Sequence, residues 1–153
     1  MKIAVSTDER TLLVETLLHE LKNRDHNITY FGPEKSESVG WPIVTEKAAT
    51  LVANGTVDEG IVMCWTGTGA SIVANKLGGI RAALCRDAET AKGARTWNHA
   101  NVLAISLQAT DDTTLKEILD AWFSTPYSGD GWNLKQISHI KSLEQKRSSN
   151  AEK

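Results

Sequence analysis

Gly60-Ile61-Val62-Met63-Cys64-Trp65-Thr66-Gly67-Thr68-Gly69-Ala70-Ser71 is the stretch on which the fold turns, because it runs an apolar strand into a thiol, a glycine-rich turn and a helix. Residues 61–63 are short and wholly apolar, the pattern of a strand covered on both faces. Gly67 and Gly69 permit a sharp turn and a close approach of backbone to a ligand. Ser71 opens the next predicted helix, residues 72–77, whose first N–H groups point back over the turn. Cys64 stands at the mouth of that turn, where the positive end of a helix favours thiolate. A nucleophile or base is thereby set beside a cradle suited to negative charge.

Outward from this unit, strand and helix patterns alternate along the whole chain. Strand-like runs cover residues 2–6, 28–31, 80–85 and 102–107. The predicted helices start near Thr11, Pro42, Asp87 and Asp112, with a last one over residues 134–146. Leu13, Leu17 and Leu21 recur at helical spacing, Pro42 suits a first helical turn, and Gly55 stands just past the end of the second helix. Such alternation implies an α/β fold: a doubly wound, five-stranded parallel sheet, Rossmann-like, with helices on both faces and an added C-terminal helix. Residues 1–147 read as one domain and 148–153 as a frayed tail. Ligands of such sheets bind beyond the carboxyl ends of the strands. The residues to weigh there are Asp8-Glu9, the stretch 64–71, Arg86-Asp87 and Gln108.

Composition narrows the functional classes. The chain has 153 residues, 41% hydrophobic and 24% charged, with a formal net charge of -2. Its basic residues are scattered, which gives no reason to expect a nucleic-acid partner. No apolar run reaches the roughly 18 residues needed to span a bilayer, so no membrane partner is expected. The two cysteines, Cys64 and Cys85, each end an apolar strand and read as reduced thiols of a cytoplasmic protein. No His/Cys/Asp spacing resembles a metal site, and the Gly67-Thr68-Gly69 turn lacks the third glycine of a dinucleotide fingerprint.

Four ordered blocks carry a resemblance that extends over nearly the whole chain. They are Cys64-x-Thr66-Gly67-x-Gly69-x-Ser71-Ile72-x-Ala74-Asn75-Lys76, Gly79-Ile80-Arg81-Ala82, Asn101-Val102-Leu103-Ala104 and Asp120-Ala121-Trp122. With these spacings the chain resembles the family of ribose-5-phosphate isomerase B and the galactose-6-phosphate isomerase subunits. The resemblance implies an aldose–ketose isomerase working through an enediol, with no metal or organic cofactor. It assigns proton transfer to Cys64 with Thr66, and substrate binding to Asp8, Glu9, Trp65, Gly67, Thr68, Gly69, Ser71, Asn98 and Lys135. Its partners would be a sugar or sugar phosphate and further copies of the chain, as a dimer or tetramer with a shared active site.

The chain departs from that pattern on the polar ring of the pocket. Where the family has Asp-His, this sequence has Asp8-Glu9. A ring-opening histidine is replaced by Trp97, the arginine after strand five by Gln108, and two arginines near the last helix by Gly131 and Lys135. A phosphate is best held by arginine forks, and each lost charge-assisted contact costs on the order of 1.5–3 kcal/mol. Trp41, Trp65, Trp97 and Trp132 fall at the expected rim, where they suit stacking on a sugar face. His99, Arg10 and Trp97 are the candidates to take over lost roles, His99 for ring opening and Arg10 for positive charge. The changes leave a second reading open, a sugar-binding protein without catalysis or with altered specificity.

Overall fold

The computed structural model describes residues 1–35 and 37–151. Its elements follow in the order β1 Lys2–Ser6, α1 Leu12–Asn23, β2 Asn27–Phe31, α2 Trp41–Ala53, β3 Glu59–Cys64, α3 Thr68–Ala74, β4 Ala82–Leu84, α4 Ala88–Asn98, β5 Val102–Ser106, α5 Asp112–Ser124 and α6 Gly131–Ala151. The strands form one parallel sheet in the order β2-β1-β3-β5-β4. The doubly wound α/β reading is therefore correct, with β3 at the centre. All six residues of β3 are buried, residues 60–64 as an apolar run and Glu59 as a paired carboxylate at its start.

The two faces of the sheet are packed differently. Odd-numbered β1 and β3 residues, Ile3, Val5, Ile61 and Met63, meet the large side chains of α1 and α5, among them Leu17, Leu21, Leu115, Ile118 and Trp122. Even-numbered positions, Ala4, Val62 and Cys64, meet mostly small residues of α2 and α3: Ala48, Ala49, Ala70 and Ala74. A Cβ on Gly60 would lie 3.2 Å from Val52 and 3.3 Å from Val102. Small residues let α2 and α3 lie close to the sheet, and that closeness brings α2 over the glycine turn.

Several boundaries differ from the sequence expectation. Helix α3 begins at Thr68 rather than near Ser71, and ends at Ala74 rather than Leu77. Gly67 takes the left-handed conformation (φ 74°), which turns the chain so sharply that the glycine turn itself becomes the first helical turn. Strand β4 is only three residues long and lies at the sheet edge. Helix α6 starts at Gly131 instead of Leu134, because the Asp130 carboxylate accepts the Asn133 N–H at 2.8 Å. Asp111, not Asp112, caps α5. The expected frayed tail is helical backbone up to Ala151, while Glu152 and Lys153 lie outside the described residues. Among the described residues, no helix is long and apolar enough to cross a membrane.

Candidate active site

Cys64 is the last residue of β3 and keeps 5% of its surface exposed, whereas Ile61, Val62 and Met63 keep none. The strand thus surfaces at the thiol. Its main chain is pinned there. The Cys64 carbonyl accepts the N–H groups of Gly67 (3.2 Å) and Leu107 (3.0 Å), and the Trp65 carbonyl accepts those of Gln108 (2.9 Å) and the Ser106 hydroxyl (2.9 Å). A Cβ on Gly67 would meet Leu84 Cδ1 at 2.5 Å and the Ile105 carbonyl carbon at 2.9 Å, so glycine is required by space as well as by φ.

The first ladder bond of α3 runs from the Ser71 N–H to the Gly67 carbonyl, and no side chain caps the helix. The amides of Thr68, Gly69 and Ala70 therefore have no partner within the helix. Thr66 and Thr68 share a hydroxyl–hydroxyl bond of 2.6 Å across the turn. The ring of Trp41 lies over Gly69, where a Cβ would come within 2.9 Å of it. Trp65 stands out of the turn, exposed.

Asp8 enters from the neighbouring strand end. Its backbone carbonyl accepts the Val39 N–H at 3.1 Å, and its carboxylate oxygen Oδ1 is buried without a partner. Burial pushes its pKa up, its own main-chain N–H opposes this, and Glu9 adds to it by repulsion. Glu9 is exposed. Arg10 is engaged elsewhere. It pairs with Glu15 at 2.5 Å and stacks over Tyr30 at 4.9 Å, so it is not the spare cation that the sequence suggested. Cys85 is buried on the other face, its thiol pushed up to about 12 by desolvation, which makes it an inert packing residue.

Trp97, Asn98, His99 and Lys135 lie at the opposite end of the sheet. Helix α4 leaves the carboxyl end of β4 and descends for 11 residues, about 16 Å, before Asn98 ends it near the start of β5. His99 caps it in a left-handed conformation (φ 48°). Its ring is stacked on Tyr127 at 4.6 Å, with Nε2 2.9 Å from the Ser128 carbonyl. Beneath lies a buried network unforeseen from sequence. Glu59 pairs with Arg95 at 2.7 Å and accepts the Trp122 indole N–H at 2.6 Å, while Arg95 stacks on both Trp122 and Tyr127. Burial outweighs these partners and lifts the Glu59 pKa. Asn98 lines a cavity of about 510 Å³ between the α3–β4 connection and α6. Trp97 and Trp132 are exposed at this end, as is Lys135.

The structure therefore brings together Asp8, Glu9, Cys64, Trp65, Thr66, Gly67, Thr68, Gly69 and Ser71, and holds Trp97, Asn98, His99 and Lys135 apart from them. The first group offers a thiol, unbonded amides and an unpartnered carboxylate oxygen, a set fitted to proton transfer with charge developing on oxygen.

A family model described as Ribose/Galactose Isomerase matches residues 3–140. The chain is 35% identical over 147 residues to a ribose-5-phosphate isomerase B of Listeria innocua, covering 95% of this chain and 99% of that one. It is equally identical, over the same number of residues, to ribose-5-phosphate isomerase B of Escherichia coli K12, covering 95% and 98%. A solved structure of ribose-5-phosphate isomerase B from Clostridium thermocellum superposes with a TM-score of 0.91 at 35% identity, over 96% of this chain and 99% of that one.

Proposed function

Because this chain belongs to the ribose/galactose isomerase family, we propose that it interconverts the aldose and ketose forms of a sugar phosphate by proton transfer through Cys64. The observation that carries this reading is Cys64 at the end of β3, packed in one cluster with Ala70 of α3 and followed directly by a turn with amides left outside its helix ladder. In such an exchange the thiolate takes the proton from the carbon beside the carbonyl, giving an enediolate. The thiol then returns that proton to the neighbouring carbon, while a hydroxyl proton crosses between the two oxygens. Nothing is oxidised or reduced overall. Each preorganised donor aimed at the enediolate oxygen is worth roughly 3–4 kcal/mol by deletion. The amides of Thr68, Gly69 and Ala70 supply such donors, Thr66 orients the substrate, and the unpartnered Asp8 oxygen accepts a sugar hydroxyl.

The working form is a homo-oligomer. Asn98 and Lys135 stand at the far end of the sheet from Cys64, so one chain does not close a site around both. Two copies related by a twofold axis, each setting its amino end against the other's carboxyl end, do. The unpaired Cys64 and Cys85 suit a reducing cytoplasm. A binding-only role is the weaker reading, since the thiol, turn and Asp8 are assembled for chemistry.

Conversion of ribose 5-phosphate to ribulose 5-phosphate is the direct test, with Cys64→Ala expected to remove turnover while the protein stays folded. Mixing inactive Cys64→Ala with inactive Asn98→Ala subunits tests the shared site. In a twofold-symmetric dimer, random exchange restores about a quarter of wild-type activity. No recovery would assign Cys64 and Asn98 to the same subunit's site, or Asn98 to none.

A further inference from the structure

Beside the turn, at the carboxyl ends of β4 and β5, lies a cavity of about 230 Å³ lined by Thr66, Leu84, Arg86, Ser106, Gln108 and Thr110, among others. It opens at the strand ends beside the turn, sharing Thr66 with it, and Cys85 of the opposite face also lines it. Cys64 pairs in register with Ser106, Ala104 pairs with Leu84, and Leu84 packs under Gly67. Among the described residues that line it, Arg86 is the one cation and none is a carboxylate. The Arg86 side chain is 89% exposed and, among the described residues, is tied through Nε to Asp87 at 3.2 Å, a contact too solvated to hold it against a ligand. Asp87 and Asp111, the nearest carboxylates in sequence, cap α4 and α5 through Thr90 and Thr114. The Thr66–Thr68 hydroxyl pair has one hydrogen left to donate after its mutual bond, and the Gln108 side-chain amide adds another neutral donor.

We propose that Arg86 receives the anionic end of the substrate, its phosphate, in this cavity. The cationic position that the resemblance places after β5, here Gln108, is replaced by one across the same cavity at the end of β4. The terminal guanidinium nitrogens offer a paired fork to two phosphate oxygens, with Thr66 and Gln108 completing the set. This assignment rests on the sugar-phosphate reading above and names its specificity determinant. It also explains how a chain lacking several expected basic residues keeps a grip on phosphate.

Steady-state kinetics with ribose 5-phosphate, together with inhibition by inorganic phosphate, test it in the full-length protein. Arg86→Gln should raise KM and the phosphate inhibition constant at least tenfold with kcat changed less than twofold. Adding Gln108→Arg to that variant should recover most of the loss. Unchanged KM and inhibition, or a fall in kcat alone, would overturn the assignment. Should the wild type turn over no ribose 5-phosphate, the fault lies with the isomerase reading, and calorimetric titration with inorganic phosphate still decides. Binding by wild type that Arg86→Gln abolishes upholds the anion site; equal binding by both, or none by wild type, removes it.

Discussion

The two ends of the sheet solve opposite problems. At the carboxyl end, the turn after β3 and Asp8 leave polar groups without protein partners: the amides of Thr68, Gly69 and Ala70, and one Asp8 oxygen. At the amino end, Glu59, Arg95, Trp122, Tyr127 and His99 bond or stack on one another and fix the residues around Asn98. Unsatisfied groups cost stability and give chemistry. Satisfied networks give rigidity instead. The shared site proposed above would divide reactivity from presentation between these two ends.

Substitutions at the two ends should break this comparison in different currencies. Cys64→Ala has the largest expected effect, a loss of turnover of about a thousandfold or more, equivalent to roughly 4 kcal/mol of barrier, with melting temperature nearly unchanged. Steady-state rates and thermal unfolding on one preparation check it. Glu59→Ala should instead strike stability, because it strands the Arg95 guanidinium, only 12% exposed, without its counter-charge. About 3–5 kcal/mol should appear in urea unfolding, and Asn98-dependent activity should fall with it.

Gly67→Ala mixes the two outcomes. A methyl group at φ 74° and 2.5 Å from Leu84 Cδ1 should cost about 3 kcal/mol and also disorder the amides of the turn. Loss of stability without loss of activity would show that the turn's shape is dispensable for catalysis. The smallest effect sharpens the contrast by its sign. Burial raises the Asp8 pKa above its unfolded value, so its contribution is fully present below the unfolded pKa and fades as pH rises through the folded one. The ionised carboxylate therefore destabilises the empty protein near neutrality. Asp8→Asn should stabilise it by about 1 kcal/mol at pH 7, allowing for partial exposure, and by nothing near pH 3. Thermal melts at both pH values, beside weakened substrate affinity, would display stability exchanged for function.

How much was readable beforehand depended on the range of the interaction. Residues 61–63 announced a buried central strand, and Asp87 announced a helix start that its carboxylate does cap, at 2.7 Å from the Thr90 amide. The start of α3 was misplaced by four residues, since the left-handed turn at Gly67 is enforced by Leu84 and Ile105 of two other strands. The Glu59–Arg95–Trp122 cluster gave no local signal, because its members are 36 and 63 positions apart from Glu59. Arg86 and Gln108 each lay past a strand end in the sequence, but that they line one cavity required the strand order β5-β4.

By itself, the chain of residues determined the alternation of strands and helices, the central buried strand and the thiol-plus-glycine turn, because apolar periodicity and glycine's backbone freedom act over a few residues. Only the tertiary structure decided that Asn98 stands a helix length away from Cys64, that Arg10 is held by Glu15, and that Arg86 and Gln108 line one cavity. Those are consequences of crossover direction and packing across the sheet, which no short stretch of sequence contains.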